Sequence, residues 1–225
     1  MKRLPYILLI SIFYFLFCGK SCVDDSERED WQQKRVTEAK DTIRSEFETG
    51  HLSEEACFAA EVKAIQDVND LADYVEIYSD RSLNILFRQK AAEMIREMFI
   101  SEDASLSFGK TKNHKMKSVT LDEFLRTGFG DDSKKAQVIF DSIRVQKPLQ
   151  KYDGSTYSGE LASYQTIILH PLADNIISSS NQVTIHFISS KQVKIIGQDT
   201  LKVWEVKIGD LEVVILNKRD SISFY

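Results

Sequence analysis

Three cysteines are the side chains of this sequence that could carry covalent chemistry: Cys18, Cys22 and Cys57. A thiol becomes a good nucleophile when a neighbouring group stabilises its thiolate form. No such partner is signalled next to Cys57 in the helical stretch "EEACFAAEV". If the first two cysteines are modified or removed, the remaining thiol cannot close an internal disulfide. The sequence therefore predicts that Cys57 packs in the core, as buried free cysteines often do.

Histidine and motif chemistry give no stronger signal. The histidines show no paired spacing of the kind that holds a metal; they are His51, His114, His170 and His186. The nucleophile-elbow, zinc-protease and glycine-rich nucleotide-loop motifs do not occur in the chain. The sequence predicts no catalytic residue, no metal site and no cofactor.

The overall composition indicates an ordinary globular protein. The chain has 225 residues and a formal net charge of −5, which suffices for one sizeable domain with a helical appendage or for two small domains. Its one basic cluster, within residues 110–117, lies in a polar stretch without an aromatic platform. We therefore expect no nucleic acid among its partners.

The N-terminus has the pattern of a secretory signal. Lys2 and Arg3 precede a nearly uncharged apolar run over residues 4–17. This run is shorter than the roughly 20 residues that a bilayer-spanning helix needs. A basic start, a short apolar run and small residues are the order found in signal peptides. We expect residues 1–21 to be a cleaved signal peptide, so that the chain is exported.

Cys22 follows this leader directly after Ser21 and resembles the acceptor cysteine of bacterial lipoproteins. In that motif the sulfur takes a diacylglycerol through a thioether, and the cysteine becomes the first residue of the mature chain. Gly19 stands where leucine is usual and Lys20 is an atypical neighbour. Processing at Cys18, soluble release into the periplasm and an uncleaved anchor remain alternatives.

Residues 22–30 follow as an acidic segment, "CVDDSERED". Like charges keep such a segment extended, and it resembles the tether of some surface-exposed Gram-negative lipoproteins. The expected location is therefore the outer membrane or the cell surface, with a lipid anchor in the membrane. The periplasm is the alternative.

The first half of the mature chain has helical periodicity. The spacing predicts one amphipathic helix over residues 31–50, which could also serve oligomerisation. It predicts further helices within residues 53–100. Ser53 is the predicted N-cap of the second helix. Its predicted apolar face includes Phe58, Val62, Val68 and Val75. Residues 101–119 are predicted to be a polar loop.

The second half has the pattern of strands, predicted over residues 139–217. The "YDGS" of residues 152–155 is a hairpin signal. Residues 200–216 are interpreted as two strands joined at Gly209 and Asp210. The predicted fold class is α+β: N-terminal helices packed on a curved antiparallel sheet of four to five long strands, all within residues 51–225.

Long helices followed by long bent strands ending in "VWEVKIGDLEVV" are similar to the cystatin-like, nuclear-transport-factor-2-like α+β class. The resemblance implies a curved sheet that wraps a helix and leaves a cone-shaped cavity. Some members are isomerases or dehydratases with an Asp base and Tyr or acid donors, and many are interaction modules. It implies that side chains on or beside the strands could face the cavity, namely Asp141, Tyr157, Tyr164 and His186.

The sequence does not choose between these uses of the fold. Strand propensity and packing explain the tyrosines, and an ordinary sheet position explains His186. The hypothesis that follows is a lipid-anchored envelope protein that binds another envelope protein or a small ligand without catalysis. A small cavity enzyme of the isomerase or dehydratase type is the alternative.

Overall fold

The computed structural model describes residues 25–110, 116–129, 133–171, 176–196 and 199–214. The predicted signal peptide and Cys22 lie outside these residues. The chain divides into two compact units, residues 1–48 and residues 49–225.

The first unit contains helix α1, Asp25–Thr49. The helix begins before the predicted residue 31, so Asp25 to Asp30 of the predicted acidic tether are helical rather than extended. Acidic residues are favourable in the first turn because they complement the positive end of the helix dipole. Along the exposed surface of α1, Val36 and Ile43 form part of the predicted apolar stripe.

The second unit begins with helices α2, Glu54–Ser79, and α3, Ile85–Met98. The predicted N-cap is confirmed, because the Ser53 hydroxyl accepts a hydrogen bond from the Ala56 N–H at 3.2 Å. Asn84 caps α3 in the same way, with its side-chain oxygen 2.9 Å from the Leu86 nitrogen. A short helix α4, Leu121–Thr127, starts at the cap Thr120.

In the described part of the chain, six strands form one sheet in the order β2-β1-β6-β5-β4-β3. Their bounds are β1 Ser105–Lys110, β2 Met116–Thr120, β3 Ser133–Asp153, β4 Thr156–Pro171, β5 Ile177–Ile196 and β6 Asp199–Val213. Neighbours are antiparallel except for β1 and β6, which are parallel. The α+β class predicted from the sequence is confirmed.

Strand β3 bends at a bulge next to Ser142, whose φ is 55°. The pairing with β4 shifts between Asp141 and Arg144. Val138 and Phe140 are buried before the bulge, whereas Val145 contacts the core after it, so the inward positions change from even to odd numbers. A bulge adds one residue on one strand and strengthens the local twist. This bulge helps to curve the sheet around the helices.

Helix α2 packs on the sheet with small and branched residues, which are Ala60, Ala64, Val68, Leu71 and Val75. The predicted apolar face is therefore partly wrong: Val68 and Val75 are buried, but Phe58 is 67% exposed and Val62 48% exposed. Alanine lets a helix backbone approach a sheet closely. The helix therefore packs its alanine face on the sheet, and the larger side chains of Phe58 and Val62 remain on the exposed side.

Three strand predictions are corrected. Within the described residues the four long strands, β3 to β6, are joined by two short strands, because residues 101–119 contain β1 and part of β2 rather than only a loop. The strand region thus begins at Ser105 and not at residue 139. Gly209 and Asp210 lie inside the single strand β6 rather than in a turn. A Cβ on Gly209 would lie 3.4 Å from that of His186, so glycine serves close packing there.

Candidate functional site

The four side chains that the resemblance suggested for a cavity lie on both faces of the sheet. In β4 the odd-numbered positions around Tyr157 and Leu161 are buried toward the core, and Tyr164 is exposed on the other face. Asp141 is the pairing partner of Tyr164 on β3, and His186 is that of Glu160 on β5. Since paired residues share a face, Asp141, Tyr164 and His186 lie outward and Tyr157 lies inward.

Tyr157 holds the segment that precedes α2. Its hydroxyl oxygen accepts a hydrogen bond from the Leu52 N–H at 3.0 Å and donates one to the Gly50 carbonyl at 3.4 Å. The ring meets Trp204 edge to face with 5.7 Å between centroids. These contacts give Tyr157 a structural role in the second unit.

Asp141 and Tyr164 lie at the β3 bulge. The Ser142 hydroxyl donates to the Asp141 carboxylate at 3.3 Å, and the Ser163 hydroxyl donates to the Asp141 carbonyl at 2.9 Å. Asp141 is exposed, as is Tyr164. Their surroundings are those of a solvated sheet surface rather than of an enclosed cavity.

His186 lies between two carboxylates on the outer face. Its Nδ1 is 3.7 Å from Glu160 Oε1, and its Nε2 is 3.9 Å from Glu212 Oε2. Lys147 is closer to Glu160, at 2.6 Å. The histidine thus belongs to a surface network of charges, in which each pair contributes little because water screens it.

Two polar features of the interior were not predicted from the sequence. Gln165 is fully buried, and within the described part of the chain neither atom of its side-chain amide has a hydrogen-bond partner. Its pairing partner on β5 is Asn181, whose buried side-chain nitrogen also has no hydrogen-bond partner in the described residues. Most buried polar groups are hydrogen-bonded, so this pair is an exception in the core.

The second interior feature is Asp67 of α2, which is buried and pairs with Lys63 one turn earlier. Burial raises the pKa of the Asp67 carboxyl, against the lowering effect of Lys63. The spacing of Lys63 and Asp67 was the only sequence signal that could have drawn attention to this residue.

A pocket of about 550 Å³ lies where the α2–α3 connection meets the edge of β3. Three hydrogen bonds position this connection. The Ser79 hydroxyl donates to the Ala136 carbonyl and accepts from the Ala136 N–H, both at 2.9 Å. The Arg81 N–H donates to the Lys134 carbonyl at 2.9 Å. The chain after α2 thereby closes part of the edge of β3.

Three of the seven residues that line the pocket are cationic, although the chain as a whole is acidic. Arg81 comes from the connection, Lys134 and Lys135 come from β3, and the half-buried His170 comes from β4. Asp80 is the one carboxylate among the lining residues. The sequence did not connect Arg81 with Lys134 and Lys135, because Arg81 lies far from them along the chain.

Two carboxylates, those of Glu76 and Asp80, lie close to the ammonium group of Lys135. Lys135 Nζ is 2.5 Å from Glu76 Oε1 and 3.8 Å from Asp80 Oδ2, and the hydrogen bond to Glu76 raises the pKa of Lys135. Hydrogen bonds from the Ser82 hydroxyl, at 2.6 Å, and N–H, at 2.9 Å, lower the pKa of Asp80. Asp80 is therefore an anion at neutral pH. Among the lining residues, three cations, Arg81, Lys134 and Lys135, stand against the one carboxylate of Asp80.

The described ranges contain neither a cluster of metal ligands nor a membrane-spanning helix. No group of three or more His, Cys, Asp or Glu side chains there could hold a metal ion. No helix in these ranges is sufficiently long and apolar to span a membrane.

Comparison with known proteins adds little to this geometry. No family model matches the chain, and no curated protein matches it. Among solved structures, the chain is similar to an NTF2-like protein of unknown function from Exiguobacterium sp. 255-15. The TM-score is 0.34 at 11% identity, over 66% of this chain and 96% of that chain. At this TM-score the similarity carries no argument about fold or function.

Proposed function

We propose that this chain is an exported, lipid-anchored envelope protein whose α+β domain is a binding module for an anionic group. The proposal of export and anchoring is supported by the basic and apolar leader and by Cys22 after Ser21. The expected location is the outer membrane or the cell surface, with the periplasm as the alternative.

The finer family assignment, a cystatin-like or NTF2-like domain, is part of this proposal. Its support is the order of elements, because the long helices α2 and α3 precede four long antiparallel strands, β3 to β6. The bulged strand β3 gives the sheet the curvature that this class requires.

The pocket at the edge of β3 is the observation that carries the binding function. It has the volume of a small-molecule site, and three of its seven lining residues are cations, Arg81, Lys134 and Lys135. Such a site attracts a carboxylate or phosphate by charge and by hydrogen bonds from Lys and Arg. Its backbone is fixed by the hydrogen bonds of Ser79 and Arg81, so little ordering is needed on binding.

Export and lipidation are tested by expressing the full chain in a Gram-negative host with and without globomycin, which inhibits the lipoprotein signal peptidase. We expect the precursor to accumulate with the inhibitor and with Cys22→Ala, while Cys18→Ala is processed normally. Normal processing of Cys22→Ala would contradict lipidation at this residue. The matched Cys18→Ala variant identifies which thiol is the acceptor.

Anion binding is tested by thermal unfolding of the full chain during titration with inorganic phosphate. A ligand that binds only the folded state raises the unfolding temperature as its concentration rises. We expect this rise for the parent chain and for Lys151→Gln, an exposed control on β3. The double variant Arg81→Gln/Lys134→Gln should lose it. An equal rise in all three would show that the pocket is not the site.

The alternative function, a small cavity enzyme, has one observation in its favour, which is the buried carboxyl of Asp67 with its raised pKa. A general base of this kind would exchange the α-protons of a small ketone. Deuterium incorporation from heavy water, followed by NMR, measures this exchange. Incorporation by the parent chain and its loss in Asp67→Asn would favour the enzyme, and no incorporation by the parent chain would count against it.

A further inference from the structure

Three of the polar side chains that line the pocket remain available for a ligand. They belong to Lys134 and Gln137 of β3 and to His170 of β4, and within the described residues none of them makes a hydrogen bond or an ion pair. Gln137 and His170 are half-buried. Since His170 pairs with Lys135, and Gln137 lies two residues further along β3, both side chains emerge from one face of the sheet. The pocket thus offers a ligand an ammonium group, an amide and an imidazole.

Asp80 adds a fixed acceptor to this set. Its Oδ1 accepts hydrogen bonds from the N–H and the hydroxyl of Ser82, at 2.9 Å and 2.6 Å, and these orient the carboxylate. Its Oδ2 accepts no hydrogen bond within the described residues, and Lys135 Nζ is 3.8 Å away, beyond hydrogen-bond distance. The next residue, Arg81, donates its N–H to the Lys134 carbonyl at 2.9 Å, so the backbone beside Asp80 runs next to Lys134. The second carboxylate oxygen of Asp80 therefore has capacity for another donor.

Lys134 is the cation of the lining that remains for an anionic group. Lys135 is held by Glu76, with 2.5 Å between Nζ and Oε1, and Arg81 already has an interaction of its own. One available ammonium group matches a carboxylate, which it binds through a charge-assisted hydrogen bond. A phosphate group presents more oxygens and is usually held by several donors together. The anionic group that this lining fits best is therefore a carboxylate.

The rest of the available set matches hydroxyl groups. A hydroxyl both donates and accepts, which suits an amide, an imidazole and a carboxylate oxygen. A ligand ammonium group is disfavoured at Asp80, because Lys135 lies 3.8 Å from Oδ2 and the charge of Arg88 also acts on this carboxylate. A hydroxyl meets no such repulsion. The volume of about 550 Å³ is within the range of small-molecule sites, so the pocket has room for a ligand with several hydroxyls.

We propose that the pocket binds a hydroxylated carboxylate of the sugar-acid class, with its carboxylate on Lys134. The hydroxyls of this ligand bind Asp80 Oδ2, Gln137 and His170. The inference rests on the proposed function, because the carboxylate of the ligand is the anionic group that the domain binds. It goes further by naming the chemistry of the rest of the ligand and the side chains that recognise it.

The test is isothermal titration calorimetry of the full chain with three matched compounds. D-glucuronate carries both the carboxylate and the hydroxyls, D-glucose lacks the carboxylate, and cyclohexanecarboxylate lacks the hydroxyls. We expect D-glucuronate to bind about 10-fold more tightly than either of the others, or better. The reason is that each of the other two compounds loses at least one hydrogen bond to a charged side chain.

Variants separate the two parts of the ligand. Lys134→Gln should weaken the binding of both acids by about 10-fold and leave that of D-glucose unchanged. Asp80→Asn keeps an oxygen for the Ser82 N–H but replaces the second acceptor, so it should weaken D-glucuronate and not cyclohexanecarboxylate. Gln137→Leu should have the same selective effect without a change of charge. Lys151→Gln, exposed on β3, is the control, and circular dichroism checks that each variant is folded.

The proposal is overturned if D-glucose or cyclohexanecarboxylate binds as tightly as D-glucuronate, or if Asp80→Asn and Gln137→Leu leave the affinity for D-glucuronate unchanged. It is also overturned if D-glucuronate does not bind while inorganic phosphate still raises the unfolding temperature. In that case the anion-binding function stands and only the ligand class fails. If phosphate, D-glucuronate and cyclohexanecarboxylate all have no effect, the proposed function is overturned as well.

Discussion

The carboxylate of Glu61 on α2 accepts a hydrogen bond from the backbone N–H of Leu149 on β3 at 2.7 Å. Strand β3 is at the edge of the sheet, and none of the described strands lies beside this N–H on that side. Together with Ser79, which bonds to Ala136, Glu61 closes the edge strand with side chains of a helix. Unpaired edges are templates for aggregation, so these two contacts protect the fold as well as stabilise it.

We predict that Glu61→Ala lowers the free energy of unfolding by about 1.5–3 kcal/mol, the usual range for a hydrogen bond to a charged group. Urea denaturation measures the change, and light scattering should show more aggregation. Glu61→Gln keeps an acceptor oxygen and should cost less. Gln66→Ala, at an exposed position in the middle of the same helix, is the control. If Glu61→Ala and the control lose the same free energy of unfolding, the edge contact does not stabilise the fold.

Tyr157→Phe should cost about 1 kcal/mol of unfolding free energy, because it removes the hydroxyl that bonds to Leu52 and Gly50 but keeps the ring on Trp204. Tyr164→Phe removes an exposed hydroxyl and should change stability by less than about 0.5 kcal/mol. Thermal and urea unfolding of both variants check the prediction. A larger loss for Tyr164→Phe would contradict the assignment of Tyr157 as the structural tyrosine.

Gln165→Met should raise the free energy of unfolding by about 1 kcal/mol, because a buried amide without partners is replaced by an apolar side chain of similar volume. Gln150→Met, an exposed position on β3, should have almost no effect. Urea denaturation gives both values. A clear destabilisation by Gln165→Met would mean that the amide is satisfied in solution, for example by bound water.

The raised pKa of Asp67 predicts that the free energy of unfolding depends on pH. Its pKa is raised in the folded state by burial, so the folded chain binds more protons than the unfolded chain between the ordinary pKa of Asp, 3.8, and the raised value. Stability therefore falls as the pH rises through this window. Asp67→Asn lacks this decline, so its stability relative to the parent chain should increase from pH 3 to pH 7. Asp73→Asn, which is exposed on the same helix, should follow the parent chain.

Gly159→Ala should be among the most destabilising single substitutions in the sheet. A Cβ at this position would lie 2.5 Å from Phe187 Cζ and 3.1 Å from the Lys147 carbonyl oxygen. Overpacking of this kind costs about 1–3 kcal/mol or more, as urea denaturation would measure. Gly154→Ala, where a Cβ would meet nothing within 4 Å, is the matched control. Phe187→Leu should recover part of the loss in the double variant, because the two residues share one space.

Local signals were read correctly from the sequence. The cap Ser53 depends on a hydrogen bond within one turn, and the hairpin at residues 152–155 depends on a two-residue connection, Asp153 pairing with Thr156. These features need no information from the rest of the chain.

The missed features depend on tertiary context. Residues 105–110 were predicted as loop, yet they form β1 because β6 offers a parallel partner and Asp210 accepts a hydrogen bond from the Ser105 N–H at 2.7 Å. The rotation of α2, which leaves Phe58 exposed, follows from close packing at Ala64. Propensity and periodicity contain neither effect.

The candidate pocket could not be predicted for the same reason. Arg81 and Lys134 meet only because the chain after α2 bonds to the edge of β3. The fold class could be anticipated from the order of helices and strands, whereas the site depends on which distant segments lie side by side.

The parallel pairing of β1 with β6 has a consequence for how the chain folds. Leu106 pairs with Leu211, so the sheet reaches its final order only when the last strand is available. Contacts between such distant segments slow folding, because the loop between them must close first. For the export proposed above, this order would delay folding until β6 has been synthesised, which would keep the chain competent for translocation.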